Sequence, residues 1–256
     1  MSDAEIAKPL TQDQLAEYRE QGYVMLGRIV SDEQLASLRA EEARVRRYPF
    51  VKEDGTIEKD GLTIFRSQLC DYSEPIRRFV TLGDHVQIAR QLVGPNLCFW
   101  FNQYVTKLPD DPAGKLAEFP WHQDNGYVGI EPANNVTIWC ALDDVDEKNG
   151  CVWVMPRSHK KGLLPHTQSK NSWHFTVPVE GDGVPARLKA GEAVAFTGLT
   201  LHRSKQNFTN KPRRAFFMEY ADAASTYGPE KIPVVKSPKS WLVAGQIEWP
   251  TPKRPI

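Results

Sequence analysis

The pattern of hydrophobic and polar positions changes character once along the chain, near residue 96. Before that point the segments carry helix punctuation. Thr11 stands as an N-cap before QDQLAEYREQ, Gly22 ends that run, YVMLGRI reads as a short strand, and Ser31 with Gln34 forms a capping-box pattern opening DEQLASLRAEEARVRR. Two further helices are predicted, one over Ser73 to Leu82 with Pro75 in its first turn and one from Asp84 to Val93 closed by Gly94-Pro95. Between the two pairs of helices, KEDGTIEKDG at 52–61 is charged and holds two Asp-Gly steps. An exposed hairpin or loop is predicted there, placed to serve as a lid.

From Leu97 the texture becomes short β-branched and aromatic runs set apart by Gly, Pro, Asn and Asp: LCFWFNQYVTKL, PWHQD, NVTIWCAL, CVWVMP, WHFTVPV, ARLKAGEAVAF, TLHRSKQNF and RRAFFMEYAD. Regularly spaced short strands of this kind predict an all-β sandwich or barrel, with a cupin-like jelly roll, a double-stranded β-helix, as first choice. The expected fold is thus mainly β in a single domain. It has flanking N-terminal helices over about 10–95, a jelly-roll core over about 97–222 and an extended C-terminal tail over about 223–256. Prolines at 229, 233, 238, 250, 252 and 255, with Trp241 and Trp249, predict that this tail is draped on the surface.

Composition narrows the partner. With 41% hydrophobic residues in 256, the chain can build one sizeable core but hardly two full domains. Its 32 basic and 32 acidic residues cancel, so no global field draws it to nucleic acid or to a membrane surface. A small-molecule partner is expected. No apolar run approaches the roughly 18 residues of a membrane span, and the start MSDAEIAKPLTQDQ lacks the apolar region of an export signal. Cys70, Cys98, Cys140 and Cys151 contain no C-x-x-C pair, and the last three sit in strand-like apolar runs, so buried free thiols and a cytoplasmic location are expected. The oligomeric state is left between monomer and homodimer.

Among the six histidines, His122 is followed at two residues by Asp124 in WHQD. On an extended segment residues i and i+2 share a face, so an imidazole and a carboxylate can reach one metal. His202 lies in another strand-like run, where closure of a jelly roll can bring it opposite. Two histidines and one carboxylate leave three metal positions open, the arrangement of non-haem Fe(II) oxygenases. Arg213 follows eleven residues after His202, across the turn made by Asn207, Asn210 and Pro212. A guanidinium beside the metal-bearing strand suits the far carboxylate of a metal-chelated 2-oxo acid.

With these residues in view, the chain resembles the phytanoyl-CoA dioxygenase-like family of Fe(II)/2-oxoglutarate-dependent oxygenases over roughly residues 10–222. The resemblance is sharpest in WHQDNGY, NVTIWCALDDVDEKNGCVWVMPRSHK, GEAVAFTGLTLHRS and NKPRRAFFMEY. It implies iron ligation by His122, Asp124 and His202, and binding of the 2-oxoglutarate C5 carboxylate by Arg213 with Ser204, Arg214 being the fallback if the turn is offset by one. Gln103 matches a glutamine that ectoine hydroxylase-like members place near the chelating end of the co-substrate, and Trp139 matches a tryptophan lining the co-substrate pocket. Read without the resemblance, Trp139 is a core aromatic and Gln103 a polar residue on a solvent-facing strand. His159 matches a structural loop position. His85, His166 and His174 have no partner at metal spacing.

The family chemistry implies Fe(II), 2-oxoglutarate and O2, with hydroxylation of an unactivated C–H bond and release of succinate and CO2. Halogenating relatives carry a small residue where this chain has Asp124, so hydroxylation is favoured over halogenation, while desaturation, epoxidation and ring formation stay open. Strand alternation places Phe99, Phe101, Val105 and Lys107 on the same face as Gln103, and Ala215, Phe217 and Glu219 on the face of Arg213. Asn125, Tyr127, Lys107 and Arg66 are candidate substrate contacts, suited to a polar small metabolite, an anionic one included. Two alternatives stand beside this reading. A non-redox metal-dependent cupin, an isomerase or lyase, wants a further ligand close to the first and leaves Arg213 unexplained. A non-catalytic member of the fold typically lacks a ligand or the arginine, and here neither is missing.

Overall fold

The computed structural model describes residues 6–48, 50–51, 57–58, 61–110, 118–168, 175–236 and 241–242. Helix α1 (Gln12–Gln21) opens on a capping box, the Thr11 side chain accepting the Gln14 N–H while the Gln14 side chain accepts the Thr11 N–H. It ends at Gly22, whose left-handed φ of 85° a side chain would disfavour. Ser31 and Gln34 make the same reciprocal cap for α2 (Asp32–Val45). Helix α3 (Glu74–Leu82) is capped by Ser73 with Pro75 in its first turn, and α4 (His85–Val93) stops at Gly94.

The strands that build the site are β1 (Tyr23–Arg28), β2 (Thr63–Ser67), β3 (Leu97–Lys107), β4 (Phe119–His122), β5 (Asn135–Ala141), β6 (Val152–Val154), β7 (Val184–Pro185), β8 (Glu192–Thr197), β9 (His202–Ser204), β10 (Arg213–Asp222) and β11 (Trp241–Leu242). They form two antiparallel sheets. The larger runs β1-β8-β5-β10-β3, with β2 and β11 both pairing to β3, and the smaller runs β7-β6-β9-β4. This is the expected jelly roll, with one addition: β1 and β2 come from the N-terminal part and extend the large sheet.

The four helices cover the outer face of the large sheet. Leu35, Leu38, Ile76, Val80 and Ile88 pack there against Phe99, Ile138, Phe216, Met218 and Tyr220. The inner face meets the small sheet through Trp139, Ala141, Val152, Val154, Val194, Phe196 and Ala215. Strand β5 is buried at every position because both its faces are covered, which is why NVTIWCA does not alternate. Cys70, Cys98, Cys140 and Cys151 are all buried and form no disulfide. No helix among the described residues is long and apolar enough to cross a membrane.

One expectation from strand alternation fails. A bulge in the β3–β10 ladder lets Glu219 pair with Phe101 and Tyr220 with Phe99, leaving Trp100 as the extra residue. Upstream of it the two faces exchange, so Phe99 turns to the helices, its ring 5.6 Å from that of Tyr220, instead of facing inward with Gln103. Around 52–61 the backbone pairs Phe50 with Glu58 and Val51 with Ile57, as in a hairpin. Residues 52–56 and 59–60, and with them the lid, lie outside the described residues, as do His174, Trp249 and the prolines at 238, 250, 252 and 255.

Candidate active site

Strands β4 and β9 are neighbours, and their register sets His122 directly across from His202. The two rings lie 4.1 Å apart, centre to centre. Asp124 follows at the turn into the one-turn helix α5 (Asn125–Val128), a turn held by the Asn125 N–H donating to the Gly198 carbonyl at 3.0 Å. One ligand atom from each of His122, Asp124 and His202 lies within 4.8 Å of the others. Asp124 Oδ1 is 3.7 Å from His122 Nε2 and 3.4 Å from His202 Nε2.

The partners of these groups decide whether the trio suits a metal. His122 Nδ1 faces the Pro120 carbonyl at 2.8 Å and His202 Nδ1 faces the Thr200 carbonyl at 3.0 Å. A carbonyl only accepts, so both protons sit on Nδ1 and both Nε2 lone pairs point toward the third ligand. The Thr137 hydroxyl donates to Asp124 Oδ2 at 2.6 Å, leaving Oδ1 for the same centre. Burial, aided by the neighbouring His202, pushes His122 down to about 3, so it stays neutral as a ligand must. Burial opposes the charge on Asp124, but the two imidazoles and the Thr137 hydroxyl outweigh it and bring the carboxyl to about 2. The donor set, its orientation and its protonation all fit a divalent transition metal.

Arg213 and Arg214 separate cleanly. Arg214 forms a two-pronged pair with Asp143, Nε to Oδ2 at 2.9 Å and Nη2 to Oδ1 at 2.6 Å. Arg213 is almost wholly buried, donates from Nη1 to the Val105 carbonyl at 3.3 Å, has an unpartnered Nε, and meets no carboxylate among the described residues. Burial lowers it only to about 10, so it is a charged group wanting an anion. Its guanidinium carbon lies 5.4 Å from the centre of the Trp139 ring. Lys107, its cross-strand partner, donates to Ser204 Oγ at 2.9 Å and to the Ser204 carbonyl at 3.2 Å. Lys107 is therefore a support beneath Ser204 and not a substrate contact.

A cavity of about 290 Å³ adjoins the triad, lined among others by Gln103, Tyr127, Trp139, Ser204 and Glu219. Gln103 donates to Ser67 Oγ at 2.6 Å, and Tyr127 stands 5.6 Å from the His122 ring, centre to centre. Phe65, Phe101, Phe119 and Phe217 make the walls. Of the substrate candidates, Lys107, Asn125 and Arg66 are absent from the lining, as is Arg213, which lies behind Trp139. The Asn125 amide is spent on Ile130, accepting its N–H at 2.7 Å and donating to its carbonyl at 2.9 Å. Arg66 is buried against the C-terminal end of α2, donating to the Val45 and Arg46 carbonyls, where a cation matches the helix dipole. With Lys107, Asn125 and Arg66 committed elsewhere, the basis for an anionic substrate falls away.

Thr137 is the residue sequence reasoning missed, although it stands two positions before Trp139 on the same strand. Gln123 is another. Fully buried between His122 and Asp124, it ties their turn to two neighbouring loops by donating to Gly162 and Leu199 and accepting from Leu164. The other histidines are structural: His166 Nε2 accepts the Gln123 N–H at 3.0 Å, His159 Nε2 meets the Arg19 carbonyl at 3.1 Å, and His85 Nε2 meets the Tyr220 hydroxyl at 3.2 Å.

The family model for phytanoyl-CoA dioxygenase matches residues 18–215, which takes in the triad and Arg213. The chain belongs to the phytanoyl-CoA dioxygenase family. Among its relatives, the peroxisomal phytanoyl-CoA dioxygenase of Bos taurus is 28% identical over 240 residues, covering 85% of this chain and 70% of that protein. The ectoine dioxygenase of Bordetella parapertussis is 28% identical over 253 residues, covering 90% and 81%. Solved structures of similar fold include the non-heme monooxygenase ThoJ, with a TM-score of 0.72 at 21% identity over 95% of this chain and 88% of that one. Another is the non-heme alpha ketoglutarate dependent carbocyclase SnoK from nogalamycin biosynthesis, with a TM-score of 0.70 at 23% identity over 89% and 90%. For this family member they establish the jelly roll.

Proposed function

We propose that this phytanoyl-CoA dioxygenase family member is an Fe(II)- and 2-oxoglutarate-dependent oxygenase that hydroxylates an unactivated C–H bond of a small molecule, with release of succinate and CO2. The observation that carries the reading is the triad, with both Nδ1 protons and Asp124 Oδ2 held by other groups so that three ligand atoms converge. The bound iron and 2-oxoglutarate supply the oxidising chemistry. The chain supplies position, charge and dryness. His122, Asp124 and His202 hold the metal on one face. Arg213, with Ser204 braced by Lys107, takes the far carboxylate of 2-oxoglutarate, and Gln103 and Trp139 border the same space. Phe65, Phe101, Phe119, Phe217 and Tyr127 keep water from the reacting carbon and hold the substrate body beside the metal.

Retention of Asp124 favours hydroxylation over halogenation, because its carboxylate occupies the position a halide needs. Four buried thiols that form no disulfide suit a reducing compartment, and the cytoplasm is the proposed location. The test is succinate formation from 2-oxoglutarate by anaerobically purified protein given Fe(II), ascorbate and air, with and without a metabolite extract. Turnover that requires iron and is abolished in His122→Ala and Arg213→Ala is expected. No succinate, together with no calorimetric binding of 2-oxoglutarate to metal-loaded protein, rejects the reading.

A further inference from the structure

We propose that Glu219 anchors the substrate, and that the cavity selects small molecules whose apolar body carries a hydrogen-bond donor, an amine or a hydroxyl, over those bearing a carboxylate. This rests on the oxygenase reading and adds the substrate class to it.

Glu219 lies six residues beyond Arg213 on the inward face of β10. At about 3.4 Å per residue the two are about 20 Å apart along the strand, so they serve opposite ends of the site. Glu219 pairs across the sheet with Thr137, the residue that holds Asp124, which puts its carboxyl near Asp124 on the cavity side of the sheet. It is buried, lines the cavity, and has one partner among the described residues: Asn135 Nδ2 donates to Oε1 at 2.7 Å. No cation pairs with it among those residues.

A buried carboxyl in a strand beside a second one, Asp124, is a poor choice for stability, since an apolar side chain there avoids the desolvation cost. Glu219 opens instead onto a chamber walled by Phe65, Phe101, Phe119 and Phe217. The cations near that chamber are engaged elsewhere. Arg203 stacks 4.7 Å from the Trp121 ring centre and pairs with Asp182 at 2.6 Å, and Lys107 is spent on Ser204. Two carboxyl groups, Asp124 and Glu219, thus face an aromatic space in which the one lining cation among the described residues, Arg203, has its charge paired with Asp182 through Nη2. A protonated amine or a hydroxyl can donate to Glu219, and aromatic faces tolerate an ammonium group as well as they do an alkyl chain.

Three probes sharing one body separate the possibilities: 4-phenylbutylamine, 4-phenylbutanol and 4-phenylbutyrate, titrated calorimetrically under anaerobic conditions into protein loaded with Fe(II) and 2-oxoglutarate. Wild type is expected to bind the amine and the alcohol at least about tenfold more tightly than the acid, and Glu219→Gln to weaken the amine at least about tenfold. The idea is overturned if the acid binds as tightly as the amine, if none of the three binds, or if Glu219→Gln, natively folded by circular dichroism, keeps the amine affinity within about twofold. The wild-type ranking decides the matter even if the variant does not fold. A missing 2-oxoglutarate isotherm counts against the oxygenase reading, whereas a missing probe ranking with that isotherm present counts against Glu219 alone.

Discussion

Replacing Thr137 by Val tests whether the metal site depends on a group that is not a ligand. The side chain is 1% exposed, and its hydroxyl donates to Asp124 Oδ2 at 2.6 Å. Valine keeps the volume and the strand preference, so the change removes one hydrogen bond and opens no cavity. A hydrogen bond to a charged acceptor contributes about 1.5–3 kcal/mol. If it serves mainly to hold Asp124 ionised and aimed, metal affinity falls by about 10- to 100-fold, the range seen when outer partners of metal ligands are lost. Calorimetric titration with Mn(II) measures this directly. Thr137→Ser restores the hydroxyl and is expected to recover most of the affinity. A folded Thr137→Val that binds Mn(II) within about twofold of wild type refutes the reasoning, as does a Thr137→Ser variant no better than Thr137→Val.

Arg213→Lys is expected to weaken 2-oxoglutarate binding by at least about tenfold by calorimetry, since a single ammonium cannot offer two parallel hydrogen bonds. Arg214→Ala, which breaks only the pair with Asp143, is expected to lower stability by at most about 1 kcal/mol and leave that binding intact. Saturating Mn(II), about a hundredfold over its dissociation constant, stabilises by about 2.7 kcal/mol, which raises the melting temperature by about 5–10 °C; His122→Ala is expected to show no such rise. Burial pushes the His85 pKa from 6.5 down to about 3. Below pH 6.5 the unfolded chain takes up this proton while the folded one does not, so stability is lost as pH falls from 6.5 toward 3. Between about pH 6.5 and 4 this amounts to about 3 kcal/mol, and denaturant unfolding of His85→Gln is expected to show that much less acid sensitivity.

What was legible in the sequence divides according to what each residue needs. His122, Asp124 and His202 need only their identity and a strand under them, because H-x-D spacing on an extended segment and antiparallel closure suffice to bring the groups together. The helix ends at Thr11 and Ser31 were legible for the same reason, since a cap is a local hydrogen bond between residues three apart. Arg213 against Arg214 was not decidable from spacing alone. It is decided by Asp143, which draws Arg214 to the outer face and leaves Arg213 inward beneath Trp139.

The substrate end was the part that sequence reasoning misread, and the cause is orientation. A side chain in a strand faces in or out by parity, and one extra residue at Trp100 reverses that parity for everything upstream, which removes Phe99 from the cavity while Phe101 and Gln103 stay. Arg66 and Asn125 are polar side chains beside a site, yet each satisfies buried carbonyls of its own neighbourhood, and such needs are invisible until the chain is folded. Removing those charges and amides leaves the chamber with aromatic walls and the carboxyl of Glu219, of which only Oε1 is held, by Asn135. The triad is therefore held by hydrogen bonds at each of its residues, whereas the chamber beside it carries few polar groups among the described residues, Glu219 the one carboxyl among them besides Asp124. On the proposed reading, changes to the chamber walls and to Glu219 alter specificity without touching the hydrogen bonds that hold His122, Asp124 and His202.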